Sequence, residues 1–209
     1  MSQEDDVPPF DVDPPTPLPV MPVSPAVVTP HQPYLVLEDV LVEAGRPAWD
    51  LLLIGDGSGT DWDHPAGWAV TSIDRLSGQR HVQLGSYSNA TVNFVEAECY
   101  VHALRYDLYT RMNGKIRSPR KVVIFSDSQV TVNTGNGLYK QTYHPDVWLV
   151  YDYYRNLGYE LKFFQLPRET NPLHSLMDKF SRSCRTTTLD TEGCIELVNT
   201  LLPRTNTNV

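Results

Sequence analysis

Residues 49–59 read WDLLLIGDGSG and residues 121–129 read KVVIFSDSQ. Each is a short apolar run that breaks off at an acid, Asp56 in the first and Asp127 in the second. Apolar runs of four to eight residues bounded by glycine or polar punctuation suit strands buried on both faces, and the β-branched residues Val122, Val123 and Ile124 place the second in a sheet interior. Neighbouring strands of like direction would project both carboxylates into one place, where like charges are costly unless a cation is shared. A lone acid after a strand is otherwise a helix cap or a turn residue, and SDSQ can open a short helix, so Asp127 has both readings.

Working outward, GWAVTSID (67–74) and RHVQLGSYS (80–88) read as two further strands after the first, an antiparallel meander. A helix is predicted over 93–112, where Phe94, Ala97, Val101, Leu104, Leu108 and Met112 recur at three- and four-residue steps. Beyond KVVIFSD, residues 146–156 read as a helix, 160–165 as a strand and 172–183 as a helix. A last short helix is read over 192–202, and residues 203–209 are expected to fray. The order β-β-β-α-β-α-β-α predicts an α/β domain, a mixed sheet with helices packed on its faces.

Ten of the seventeen prolines fall between Pro8 and Pro33 among acidic and small residues, a composition that propagates neither helix nor ladder. Residues 1–33 therefore read as a disordered tail. It is a solvated spacer first, and a polyproline ligand for a protein partner as the other use of such a stretch. Residues 34–49 read as an extension packed on the domain. Within it YLVLEDVLVEA (34–44) has a period that leaves strand and short helix both open. The domain itself spans 50–185, and 186–209 forms a C-terminal extension. No apolar run approaches the length of a membrane span, and the acidic start lacks a secretory pattern, so a soluble cytoplasmic protein is expected. Cys99, Cys184 and Cys194 form an odd, widely spaced set that encodes neither a disulfide framework nor a zinc knuckle. The net charge of −8 is unfavourable for binding a phosphate backbone. Residues 1–50, however, carry nine acids against Arg46 alone, so the remainder is neutral.

Five segments together resemble a known family over about residues 50–185. IGDGSGTDWDHPAGWAV (54–70), TVNFVEA (91–97), FSDSQ (125–129), PDVWLVYDYY (145–154) and PRETNPLHSLMDKFSR (167–182) stand in the order and at the separations of the motifs of ribonuclease H type 1. The resemblance implies a ribonuclease H-like fold, a five-stranded sheet with three antiparallel strands followed by two parallel ones. It implies that Asp56, Glu96, Asp127 and Asp178 hold two Mg2+ ions, with Mn2+ as a substitute, about 4 Å apart. One ion would activate water and the other stabilise the leaving 3′ oxygen, giving 5′-phosphate products. Glu96 and Glu98 flank the apolar stripe of the helix on opposite sides, and the family spacing Asn93-x-x-Glu96 selects Glu96, leaving Glu98 a surface acid. In the family an Asn usually stands four residues before the last acid. Here Ser175 occupies that place and Asp178 lies one turn further on, so its use as a ligand requires a shifted loop.

By the same resemblance Arg168 and His174 assist product release or proton transfer, although a loop histidine is more often a solvated bystander. Gly57, Ser58, Asn93, Gln129 and Asn171 are implied to contact substrate, several of them at the sugar edge where a 2′-hydroxyl marks RNA. Thr91 matches a phosphate-pocket threonine. Val92 replaces the family's first asparagine, and no basic handle lies between Gly137 and Pro145. The implied function is an endoribonuclease that cuts the RNA strand of RNA·DNA hybrids, acting as a monomer. Two other readings stand beside it: an exonuclease or resolvase on the same fold, and a non-catalytic nucleic-acid-binding module. Against the last, a surface that merely binds phosphates has no use for clustered acids.

Overall fold

The computed structural model describes residues 37, 40–42, 44–60, 62–113, 119–166 and 171–202. Five strands, β1 (Leu51–Ser58), β2 (Ala66–Asp74), β3 (Arg80–Tyr87), β4 (Arg120–Ser126) and β5 (Tyr159–Gln165), form one sheet in the order β3-β2-β1-β4-β5. The pairs β3–β2 and β2–β1 are antiparallel, whereas β1–β4 and β4–β5 are parallel, as the resemblance implies. The helices are α1 (Val92–Asn113), α2 (Gln129–Gly135), α3 (Pro145–Asn156), α4 (Pro172–Cys184) and α5 (Thr191–Leu201). Residues 40–42 are also helical, which resolves the strand-or-helix alternative for that part of the extension.

β1 and β4 are central because their apolar runs can be covered on both faces. Leu51 and Leu53 point toward α1 and α3, while Leu52 and Ile54 point toward α4 and α5. Each such side chain, fully removed from water, contributes roughly 1.5–3 kcal/mol. The edge strands are less buried, with Val82 on β3 and Phe163 on β5 lying between more exposed neighbours. The second core layer also takes in Val40 near the start of the described chain, and Leu189, Cys194, Val198 and Leu202 near its end. Cys99, Cys184 and Cys194 are all buried and free.

The helix order differs from the sequence reading by one element, α2. Its sequence QVTVNTG is rich in β-branched residues and closes on glycine, so nothing in its propensity announces a helix. A cap explains it: the Ser128 hydroxyl accepts from the Thr131 amide.

Two close approaches fix how the helices lie on the sheet. A Cβ at Gly67 on β2 would meet the Ser181 carbonyl of α4 at 2.0 Å, and one at Gly57 on β1 would meet the Glu96 amide of α1 at 2.6 Å. Only a residue without a side chain lets these backbones touch. The Tyr100 hydroxyl of α1 is shared between the carbonyls of Gly55 and Phe125, both at 2.9 Å, and so ties β1 to β4. At the other end of the sheet Arg120 donates to Asp74 and, at 2.7 Å, to Asp107, which also accepts from the Tyr159 hydroxyl. Among the described residues no helix is long and apolar enough to cross a membrane.

Candidate active site

Asp56 lies inside β1, opposite Ala69 of β2, two residues before the strand ends, and not at the strand terminus expected from sequence. Parallel pairing with β4 nevertheless stops at Ile54 and Phe125, so Asp56 stands where the two central strands separate. Its side chain, about 5% exposed, faces α4 and accepts a 2.5 Å hydrogen bond from the Ser181 hydroxyl. Burial pushes its carboxyl up to about 6; Ser181 and His174 oppose that shift, and the charges of Asp127 and Asp178 add to it. A carboxylate so placed is an uncomfortable anion, and a cation would relieve it.

Asp127 follows β4 directly. Ser128 takes the capping position of α2, so the cap reading of Asp127 fails and its carboxylate is turned inward, about 5% exposed. His174 is the third residue of α4 and not part of a loop. Asn171 accepts from the amides of Leu173 and His174 at 2.9 and 3.1 Å, and Pro172 opens the helix. The His174 ring is 3% exposed, far from the solvated bystander of the bland reading. Its Nε2 stands 3.8 Å from Asp56 Oδ1 and 3.6 Å from Asp127 Oδ1. One ligand atom from each of Asp56, Asp127 and His174 lies within 4.8 Å of the others.

The remaining acids flank this group. Glu96 is buried on the first turns of α1 with its backbone against Gly57, the residue after Asp56, but it is not a member of the close trio. Asp178 is also outside it, about a third exposed and paired at 2.9 Å with Arg182 one turn on. Its influence on the centre is the charge it adds beside Asp56. The group nearest Asp56 and Asp127 on α4 is thus an imidazole one helical turn before Asp178. Glu98 is no surface acid: it is 14% exposed and approaches His102 Nε2 at 3.8 Å. Burial lowers His102 to about 4, so the ring is neutral near pH 7 and that contact is dipolar, not an ion pair.

Of the substrate-side residues, Asn93 and Gln129 are exposed and Ser58 is half-buried at the end of β1. Asn171 is 5% exposed, and its side-chain oxygen caps α4, accepting from the Leu173 and His174 amides. Thr91 accepts from the Phe94 amide at the start of α1 and hydrogen-bonds His144 Nε2 at 3.0 Å. His144 has a left-handed backbone, φ 53°, and stacks with the exposed Trp62, ring centroids 6.2 Å apart and 7° between planes. Arg168 lies outside the described residues. Sequence reasoning missed Ser181 and Tyr100, although Ser181 is seven residues after His174 and so shares its helix face.

The donor set suits a divalent cation. Carboxylate oxygens are hard ligands, imidazole is a borderline one, and His174 Nε2 is buried without a hydrogen-bond partner. Its separations from the two acids exceed a hydrogen bond. Two donors that each sit about 2.1 Å from one ion are themselves about 3.0–4.2 Å apart, a range that includes both.

No family model matches the chain, and no curated protein matches it. Solved structures do. A ribonuclease H1 isolated from compost by a metagenomic approach is 23% identical and superposes with a TM-score of 0.51, covering 66% of this chain and 96% of its own. The same ribonuclease H1 in complex with an RNA/DNA hybrid gives 23%, 0.50, 65% and 96%. The N-terminal ribonuclease H domain of a Mycobacterium tuberculosis protein gives 16%, 0.50, 71% and 98%. The chain has the ribonuclease H-like fold.

Proposed function

From that fold, we propose that the protein is a metal-dependent endonuclease that hydrolyses the RNA strand of RNA·DNA hybrids. The observation that carries the reading is the convergence of Asp56, Asp127 and His174 from β1, the end of β4 and the start of α4. In sheets with parallel strands, ligand sites form beyond the carboxyl ends at a topological switch, and β1 is such a strand, antiparallel to β2 and parallel to β4.

The residues that would hold Mg2+ or Mn2+ are Asp56, Asp127, His174 and the adjacent Glu96, with Asp178 deepening the negative field. Divalent cations bound there would supply a nucleophilic hydroxide near neutral pH and neutralise charge on the leaving oxygen. Asp56 is kept in place by Ser181, and its orientation is thereby fixed before any cation binds. Asp127 is held at the mouth because Ser126 and Ser128 satisfy the local turn: the Ser128 amide donates to the Ser126 hydroxyl at 3.1 Å. Ser58, Asn93 and Gln129 are polar groups at the rim suited to a sugar edge. Thr91 with His144 and Trp62 offers a hydrogen-bonding and stacking flank for the backbone and a base. Arg168 is assigned to phosphate contact and product release. Neutral charge beyond residue 50 predicts modest, salt-sensitive affinity. The reading further includes a cytoplasmic monomer with a tail that recruits a protein partner or serves as a spacer.

The test is cleavage of an end-labelled hybrid beside double-stranded RNA, double-stranded DNA and single strands, with Mg2+ or Mn2+. The hybrid alone should be cut, internally, leaving 5′-phosphates. Asp127→Asn should reduce the rate at least ~1,000-fold, a loss of the size caused by removing a principal source of charge stabilisation, with an unchanged circular dichroism spectrum. Undiminished cleavage by Asp127→Asn would remove the metal mechanism.

A further inference from the structure

We propose that His174 is itself a metal ligand, and that its nitrogen makes the Asp56–Asp127–His174 centre select Mn2+ over Mg2+. The inference deepens the nuclease reading and rests on it for the existence of a cation site, but it concerns which ion that site prefers.

Three observations converge. First, His174 is a buried imidazole whose Nε2 lacks a hydrogen-bond partner, an unfavourable state for a polar atom unless something else binds it. Second, that atom is aimed between two carboxylates at 3.6 and 3.8 Å, separations too long for hydrogen bonds and within the span of donors on one ion. Third, the ring is fixed there by construction. Asn171 caps its helix, Pro172 sets the first turn, and Gly67 lets α4 descend onto β2 until the Ser181 carbonyl occupies the space of a side chain. A flexible surface histidine has none of these supports.

The chemistry of selection follows from the donor type. Mg2+ favours an all-oxygen, largely hydrated shell and is held by carboxylates and water. Imidazole binds transition ions more tightly, and Mn2+ accepts nitrogen together with the carboxylates that Mg2+ shares. An acid-to-imidazole exchange also removes one negative charge, which weakens the electrostatic hold on Mg2+ without a compensating bond.

Electron paramagnetic resonance of the full chain titrated with MnCl2 tests the assignment without reference to cleavage. Wild-type protein should bind Mn2+ at least ~10-fold more tightly than Mg2+ in competition, and the bound ion should show coupling to a 14N nucleus. His174→Ala should lose that coupling and at least ~10-fold in Mn2+ affinity, while His174→Asp should keep binding without nitrogen coupling and narrow the gap between the two ions. Circular dichroism melts identify a variant that fails to fold, and His174→Asp then carries the comparison. Absence of 14N coupling in wild type, or equal Mn2+ affinity in wild type and His174→Ala, overturns the proposal. Nitrogen-coupled Mn2+ with no hybrid cleavage under either ion would uphold His174 as a ligand and overturn the nuclease. Hybrid cleavage indifferent to His174→Ala, with no nitrogen coupling, would do the reverse.

Discussion

At the level of single residues, the chemistry was partly legible. An acid after a buried apolar run marked Asp56 and Asp127, and both bring a carboxylate oxygen into one cluster with His174. His174 was harder to read, because residues 174, 178 and 181 lie on one helix face and spacing alone cannot say which reaches the acids. That choice depends on how deeply α4 sits on the sheet, a property of the contact between Gly67 and Ser181. His102 was invisible as a feature of interest, yet it stacks on Trp68 with centroids 4.1 Å apart and hydrogen-bonds the Tyr87 hydroxyl at 3.1 Å. Its environment has a thermodynamic signature. Burial, and secondarily Arg105, lower the folded pKa to about 4 from 6.5, so the unfolded chain binds the extra proton between these values. The stabilising contribution is complete above pH 6.5 and is lost as pH falls toward 4. Urea midpoints measured from pH 7.5 to 4 should decline for wild type and decline less steeply for His102→Phe; parallel slopes would contradict the assignment.

Among the elements, strands and long helices were readable because their periods are strong. The predicted helix over 93–112 is found at Val92–Asn113 and the predicted strand at 160–165 is found at Tyr159–Gln165. The order of elements left out α2, although SDSQ offered a helix start there; its existence rests on one serine cap. Helix depth escaped as well, since a glycine in a strand pattern does not say what touches it. Gly67→Ala should therefore be among the most damaging small substitutions. Its Cβ collides with backbone, not with a movable side chain, and the cost should be about 3 kcal/mol or more. Guanidinium denaturation would show it, and a loss below about 1 kcal/mol would mean that α4 can lift freely. The buried polar network at the opposite end of the sheet gives a second expectation. Asp107→Ala leaves Arg120, 8% exposed, without one of its two carboxylates, and should cost about 3 kcal/mol by the same measurement.

For the molecule as a whole, the mixed sheet followed from the order of elements and the packing of residues 34–49 on the domain from their apolar pattern, but the part played in the core by the C-terminal extension did not. Leu189 to Leu202 and Val40 complete the core layer behind α4, so the segments read as extensions contribute to burial there. Deleting residues 1–33 should leave the melting temperature within about 2 °C and the cleavage of short hybrids unchanged. Extending the deletion through Val40 should lower the melting temperature by at least about 4 °C, because one or more kcal/mol of apolar contact is lost. Differential scanning calorimetry of the two truncations separates spacer from scaffold.

The shared hydroxyl of Tyr100 has a consequence for the two central strands. It bridges the carbonyls of Gly55, the residue before Asp56, and Phe125, two residues before Asp127, where two side-by-side ribbons part company. The spacing of the two strands that carry the acids is thus held by a neutral group. A cation bound there, as proposed, would meet strands already held at their spacing, and little of its binding energy would be diverted to drawing the chain into shape.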